Sequence, residues 1–221
     1  MDKCSFLNHS IITYRGIYNN ITMYENTMES IMYSLKNNLS INIDISFTKD
    51  KEIIVFNKES IVKLLKLKDD ISTLTYEEIE YISQYHIPTL KEVIDVVDGK
   101  VPIILNIFDD DKTIRNSLYK IIEKYNNITI QSCDLNLLKI FKKKKIIVGL
   151  IIDDTNVSCL NKDVDVDYLC IKYDLIDKAH SNILKQKYYI IGWVIDNKDD
   201  VLKYIKIYNN LIIDNIEEVF K

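Results

Sequence analysis

Asn42, Asp44 and Asn57 are the side chains of this sequence placed to do chemistry together. Ile41-Asn42-Ile43-Asp44-Ile45 alternates isoleucine with polar residues. That is the period-2 pattern of a strand with one polar face. Asn42 and Asp44 are two apart, so both side chains leave the same face. The link Thr48-Lys49-Asp50-Lys51 is too short to join parallel neighbours, so residues 53–56 return antiparallel. A turn centred between Asp50 and Lys51 sets Asn57 roughly opposite Asp44. Such a cluster resembles a reaction centre, yet it holds only one ionisable group.

The elements that must position this cluster follow from periodicity. The pattern predicts strands over 10–15, 41–47, 53–56, 101–108, 128–132, 146–152, 167–172, 189–195 and 211–214. Helices are predicted over 27–37, 75–84, 89–97, 112–125, 136–141, 175–185 and 198–208. Thr75, with Glu78 three residues later, reads as a capping box. Without the hairpin return, eight strands remain, most followed by a helix. Eight such units in one chain predict a single α/β domain over residues 1–221, a (β/α)8 TIM barrel. A doubly wound open sheet is the runner-up, and it lacks a Gly-rich phosphate turn. Residues 57–88 form one long excursion, expected over the C-terminal mouth.

In such a barrel, function sits where strands end. Those ends read Tyr14-Arg15-Gly16, Asn42 and Asp44, Asn106 and Phe108, Ser132 to Asp134, Asp153-Asp154, Lys172, Trp193 to Asp196, and Asp214-Asn215. Histidine is absent from this rim. His9 precedes Tyr14 by five residues, which places it about 16 Å away at the barrel bottom. His180 falls in a helix pattern and His86 in a loop. Asp109-Asp110-Asp111 reads as a solvated loop run, with a replacement metal site as its alternative. Asp153 and Asp154 could face the mouth. Lys142–Lys145 reads as a solvated helix end on the bottom rim. Trp193 serves either as a ligand platform or as core.

Composition narrows the classes further. The chain has 221 residues, 47% hydrophobic, enough to bury a sizeable core. With 29 basic and 33 acidic residues the formal net charge is −4, which argues against nucleic acid or an anionic membrane as partner. Cys4, Cys133, Cys159 and Cys170 show neither disulfide nor zinc spacing, and read as small buried thiols in a reducing compartment. The N-terminal residues lack a signal-peptide layout, and no apolar run is long enough to span a bilayer. A cytoplasmic location is the expectation.

The order of short motifs resembles the glycerophosphodiester phosphodiesterase family, phospholipase-C-like barrels of lipid metabolism. The resemblance runs essentially the whole length. Tyr14-Arg15-Gly16 stands where that family has His-Arg-Gly, and Tyr24-Glu25-Asn26-Thr27 where it has Pro-Glu-Asn-Thr. Asn42-Ile43-Asp44 takes the place of Glu-x-Asp, and Thr48-Lys49-Asp50-Lys51 that of Thr-Lys-Asp-Gly. Asn57-Lys58 replaces a His-Asp pair. Leu74 to Ile79 and Pro88 to Val93 keep two helix-opening segments. Asn106-Ile107-Phe108 replaces Glu-x-Lys, and Trp193 to Asp196 and Ile212 to Asp214 match the last two motifs.

The departures matter more than the matches. The resemblance implies a general acid–base histidine pair at positions 14 and 57, which are Tyr14 and Asn57 here. Asn cannot titrate, and tyrosine's ordinary pKa near 10 suits neutral pH poorly. It implies three carboxylates around one Mg²⁺ or Ca²⁺, of which Asp44 remains beside Asn42 and Asn106. Ligand charge falls from −3 to −1, so no cofactor, or only weak Ca²⁺ or Mg²⁺ at Asp44, is expected. Phe108 stands at the implied phosphate-binding lysine, leaving Arg15. Losses concentrated on one site, with the Glu25-Asn26-Thr27 and Pro88-Thr89-Leu90 scaffold motifs kept away from it, predict a fold retained without its reaction. The first reading is a degenerate enzyme that binds a phosphate ester or polyol, or a protein partner, at the mouth. The alternatives are an active diesterase rebuilt around Tyr14 with Asp109 or Asp153, and a structural or regulatory subunit without a small ligand.

Overall fold

The computed structural model describes residues 3–19, 21–57, 70–83, 85–108 and 111–220. Its strands are β1 (Ile12–Tyr14), β2 (Ser40–Phe47), β3 (Ile53–Val55), β4 (Ile103–Ile107), β5 (Ile128–Ser132), β6 (Val148–Ile152), β7 (Tyr168–Lys172), β8 (Tyr189–Ile195) and β9 (Asn210–Ile213). The helices are α1 (Met28–Lys36), α2 (Tyr76–Ile82), α3 (Leu90–Val97), α4 (Arg115–Ile122), α5 (Leu135–Lys143), α6 (Lys178–Leu184), α7 (Lys198–Tyr204) and the short α8 (Ile216–Val219). Strand order is β1-β9-β8-β7-β6-β5-β4-β2, all parallel, and β1 also pairs with β2. The eight strands therefore close into the expected barrel, and β3 hangs on β2 as the antiparallel arm. Among the described residues no helix is long and apolar enough to cross a membrane.

Sequence explains why the helices start where they do. The side chains of Thr27, Thr75 and Thr89 each accept a hydrogen bond from the backbone three residues on, and their own backbone N–H groups donate to the side chains of Ser30, Glu78 and Glu92. These reciprocal capping boxes satisfy two otherwise orphaned N–H groups per helix. Asp134, Asp177 and Asn197 cap α5, α6 and α7.

Alternation along the strands splits the core in two. Ile41, Ile43 and Ile45 of β2, Ile103 and Leu105 of β4, and Ile128 and Ile130 of β5 pack outward against the helices. A second cluster fills the lower barrel with Ile12, Ile104, Ile151, Tyr168, Cys170, Ile191 and Ile212. A 3₁₀ turn, Ser5–Asn8, plugs the bottom with Leu7, helped by Cys4. Asn210 holds it by donating to the carbonyls of Leu7 and Ser10.

The hairpin register corrects one expectation. Ile45 pairs with Val55 and Phe47 with Ile53, so the turn centres on Asp50 and Phe56, not Asn57, falls opposite Asp44. The loop is three residues with Lys51 in the left-handed region, φ 72°. Thr48 Oγ accepts from Glu52 N at 2.9 Å and fixes that closure. In the excursion, Ile71, Ile79 and Ile87 pack against Ile54 and Phe56 of the arm. Residues 58–69 lie outside the described ones. Cys4 and Cys170 are buried as expected, whereas Cys159 is half-buried and Cys133, just past the end of β5, is exposed.

Gly149 tests the interior packing. A Cβ there would sit 2.2 Å from the fully buried Tyr168 ring on the neighbouring strand. Gly149→Ala is expected to cost roughly 1–3 kcal/mol, read from urea unfolding. A change within error would show that this layer has slack.

Candidate functional site

Ladder register brings the polar side chains together. Tyr14 of β1 pairs with Asn42 of β2, Asp44 with Asn106 of β4, and Asn106 with Gln131 of β5. Residues at one level of neighbouring strands, pointing inward, must meet. They form the floor of a cavity of about 630 Å³ at the C-terminal ends of the strands.

Asp44 is the hub and is buried. Its Oδ2 lies 2.6 Å from Arg15 Nε, an ion pair that lies off the hydrogen-bond axis. The same oxygen accepts from Asn57 Nδ2 at 3.0 Å and Asn26 Nδ2 at 3.3 Å. Oδ1 accepts from Asn106 Nδ2 at 2.7 Å. Asn42 and Asn106 exchange bonds, Nδ2 to Oδ1, at 2.8 and 3.1 Å. Gln131 Nε2 donates to Asn106 Oδ1 at 2.6 Å, and the Tyr168 hydroxyl donates to Gln131.

Backbone geometry aims Arg15 inward. Arg15 has φ 58° and Gly16 φ 84°. A side chain at position 16 would collide with Ser30, 2.6 Å away, so glycine lets α1 approach. Arg15 Nη1 binds both oxygens of Glu25 at 3.1 and 3.0 Å. Burial opposes the guanidinium charge, but Asp44, Tyr14 and Glu25 outweigh it and raise the pKa. The guanidinium also lies 4.5 Å from the Tyr14 ring centre. Burial, then the charge of Asp44, pushes the Tyr14 phenol well up, so it stays protonated at any physiological pH.

The cavity walls are mostly apolar. Trp193 and Val194 both line it, although consecutive residues of a regular strand face opposite ways. A register shift between Gly192 and Ile195 allows this. Trp193 Nε1 donates to the carbonyls of Cys170 and Ile152, at 3.0 and 3.3 Å, which fixes the ring. Phe108 stands at the rim, 58% exposed.

The family model for glycerophosphoryl diester phosphodiesterases matches residues 15–156. The chain belongs to that family. Solved structures of similar fold include a glycerophosphodiester phosphodiesterase from Thermotoga maritima, with 24% identity, 95% of this chain and 96% of that one covered, and TM-score 0.80. Another, from Agrobacterium tumefaciens, has 12% identity, coverage of 96% and 98%, and TM-score 0.76. A phosphodiesterase from Oleispira antarctica, solved with its product sn-glycerol 3-phosphate, has 17% identity, coverage of 93% and 92%, and TM-score 0.75. No curated protein sequence matches.

All six side chains singled out in the sequence, Tyr14, Arg15, Asn42, Asp44, Asn57 and Asn106, line this family barrel's mouth. The Glu25-Asn26 segment, expected away from the site, belongs to it: Glu25 grips Arg15 and Asn26 grips Asp44. Gln131 was missed, although Thr129 and Gln131 alternate with isoleucine in β5 as Asn42 and Asp44 do in β2. Asp153 instead closes its own turn on Thr155, and Asp154 pairs with Lys172 at 2.6 Å. Neither contacts Asp44 among the described residues. Asp109 and Asp110 lie outside them. Asp111 pairs with Lys51, which helps hold its pKa at about 2. No histidine lines the cavity. His9 bonds Asn38 below, His86 sits between Glu80 and Glu92, and His180 is exposed on α6. Lys142 pairs with Asp165 and Asp167.

Two outcomes test this geometry. Asp44→Ala strands a buried guanidinium and should cost roughly 3–5 kcal/mol in chemical unfolding. Loss under about 1 kcal/mol would mean Glu25 alone satisfies Arg15. Burial raises the Asp214 pKa, against bonds from Tyr18 and the Asn215 N–H. A raised folded pKa favours folding below the carboxyl's ordinary value, and that advantage is lost as pH rises through the raised one. Asp214→Asn should therefore raise Tm at pH 7, with the gain vanishing in acid. A gain that persists at low pH would disprove desolvation as the cause.

Proposed function

We propose that this family member does not hydrolyse phosphodiesters, and that its barrel mouth binds a small molecule. The observation that carries this reading is that Asp44 is engaged by Arg15 and three amide N–H donors. Hydrolysis of a diester needs a base for the attacking oxygen and an acid for the leaving one. Asn57 cannot titrate, and Tyr14 is pushed away from neutral pH.

The donor set also does not suit a divalent cation. Mg²⁺ and Ca²⁺ require oxygen lone pairs, and carboxylate charge sets their affinity. Here N–H groups point at the one carboxylate, and Asn106 Oδ1 already accepts twice. A cation would have to expel Arg15 and turn both Asn42 and Asn106. The engagement of Asp153 in its own turn weighs against the rebuilt-enzyme alternative through that residue, while Asp109 lies outside the described residues. A recessed cavity of about 630 Å³ is of small-molecule size, which favours a ligand over a purely structural barrel or a flat protein interface. The product found in the Oleispira antarctica protein makes a phosphate ester the first ligand to weigh. Four free thiols are consistent with a cytoplasmic site of action.

The test is a glycerophosphodiester turnover assay with Mg²⁺, Ca²⁺ and Mn²⁺ in turn. No release of glycerol 3-phosphate above background is expected, and calorimetry should detect no micromolar Mg²⁺ site. Metal-dependent release, abolished in Asp44→Ala protein that still folds, would sink the proposal.

A further inference from the structure

We infer that the mouth takes a neutral polyhydroxyl compound, a sugar or cyclitol, in preference to a phosphate ester; this rests on the mouth being a binding site, as proposed above. Charge is the first ground. Among the described residues lining the cavity, Arg15 and Asp44 are the charged ones, and they are paired with each other. Glu25 takes a second share of the same guanidinium from behind. An incoming phosphate dianion would find Arg15, the one cation among the described lining residues, already neutralised, with two carboxylates beside it. Phe108 at the rim adds no charge.

Lone pairs are the second ground. A carboxylate oxygen and an amide oxygen each accept about two hydrogen bonds. Asp44 Oδ1 takes one, from Asn106, and Asn42 Oδ1 takes one, also from Asn106. The floor therefore keeps acceptor capacity at these two oxygens, beside donor capacity at Arg15 Nε and the Tyr14 hydroxyl. A phosphate dianion brings acceptors only, so at Asp44 Oδ1 and Asn42 Oδ1 it would set lone pairs against lone pairs. A hydroxyl brings a donor, and can accept from Tyr14, whose phenol keeps its proton.

The walls supply the third ground. A sugar or cyclitol ring carries hydroxyls on its edge and C–H groups on its faces. Trp193, fixed by two carbonyls, presents an aromatic surface at the mouth, with Tyr14, Ile151, Val194 and Ile212 around the cavity. Aromatic rings cover such C–H faces while the ring edge stays available for polar contacts. The volume of about 630 Å³ leaves room for one ring and a substituent.

Trp193 is the single tryptophan of the chain, so its emission reports directly from the cavity wall. Free hexoses, myo-inositol and methyl glycosides are titrated against the same compounds as phosphomonoesters, with glycerol 3-phosphate and inorganic phosphate alongside. At least one neutral compound should change the emission saturably, and its phosphorylated form should bind at least about tenfold more weakly. Free sugar against glycoside separates a soluble ligand from the headgroup of a conjugate. Phe108→Lys, which adds a cation at the rim, should strengthen the phosphorylated form about tenfold relative to the neutral one. A phosphorylated compound binding as tightly as its neutral parent overturns the inference while leaving the mouth a binding site. Silence of both classes up to about 10 mM, where a Kd corresponds to less than about 4 kcal/mol, also overturns it. Turnover of a diester would instead overturn the earlier reading.

Discussion

The ion pair between Arg15 and Asp44 is the constraint on which the upper half of this barrel depends. Its partners are about 10% and 1% exposed. Removing such charges from water costs several kcal/mol per ion, and attraction between them offsets this only when the remaining hydrogen-bonding capacity is also met. That requirement recruits the surroundings. Glu25 comes from the loop before α1, Asn26 beside it, Asn57 from the end of the arm, and Asn106 from β4. With Arg15 itself, from the end of β1, four separate pieces of chain are tied to one carboxylate. Arg15 itself stands at φ 58°, a region that branched and bulky side chains avoid, and the pair on both sides of its guanidinium is what holds it there.

The same satisfaction that stabilises the cluster shapes its chemistry. A reactive centre keeps polar groups underused until substrate arrives. Here the guanidinium, the carboxylate and most amide hydrogens already have partners. What stays open is a few oxygen lone pairs and the Arg15 Nε–H, beside an apolar-walled cavity. On the reading proposed above, such a mouth would select a ligand by matching donors to acceptors and would have little means of moving a proton.

Much of this was legible in the sequence, for physical reasons that differ by residue. Asn42 and Asp44 declared themselves because isoleucines on the other face of β2 make the alternation unmistakable. Closure into a barrel followed from eight repeats of strand and helix. Asn57 was placed one residue out of register, because loop length alone does not say that Lys51 will take the left-handed conformation and tighten the turn. Its amide still reaches Asp44 from the neighbouring position. Glu25 and Asn26 looked like scaffold because their partners are distant in sequence, and no periodicity reports a loop folding over a strand end. Paired placement of Trp193 and Val194 depends on a bulge that leaves no local signature beyond Gly192. Gln131 had a signature, the alternation of β5, but only the ladder register shows that it lies level with Asn106.

The amide substitutions carry a consequence for folding as well as for chemistry. The family pattern that this sequence resembles sets Glu at positions 42 and 106 beside Asp44. Like charges about 4 Å apart repel by about 4 kcal/mol at an effective dielectric of 20, so three such carboxylates would need a cation to hold them together. Asn is both donor and acceptor. Asn42 and Asn106 satisfy each other reciprocally, Gln131 and Tyr168 extend the chain of bonds downward, and Arg15 balances the one remaining charge. Side-chain hydrogen bonds and one ion pair thus link this layer across four strands, in place of the repulsion that three carboxylates would bring.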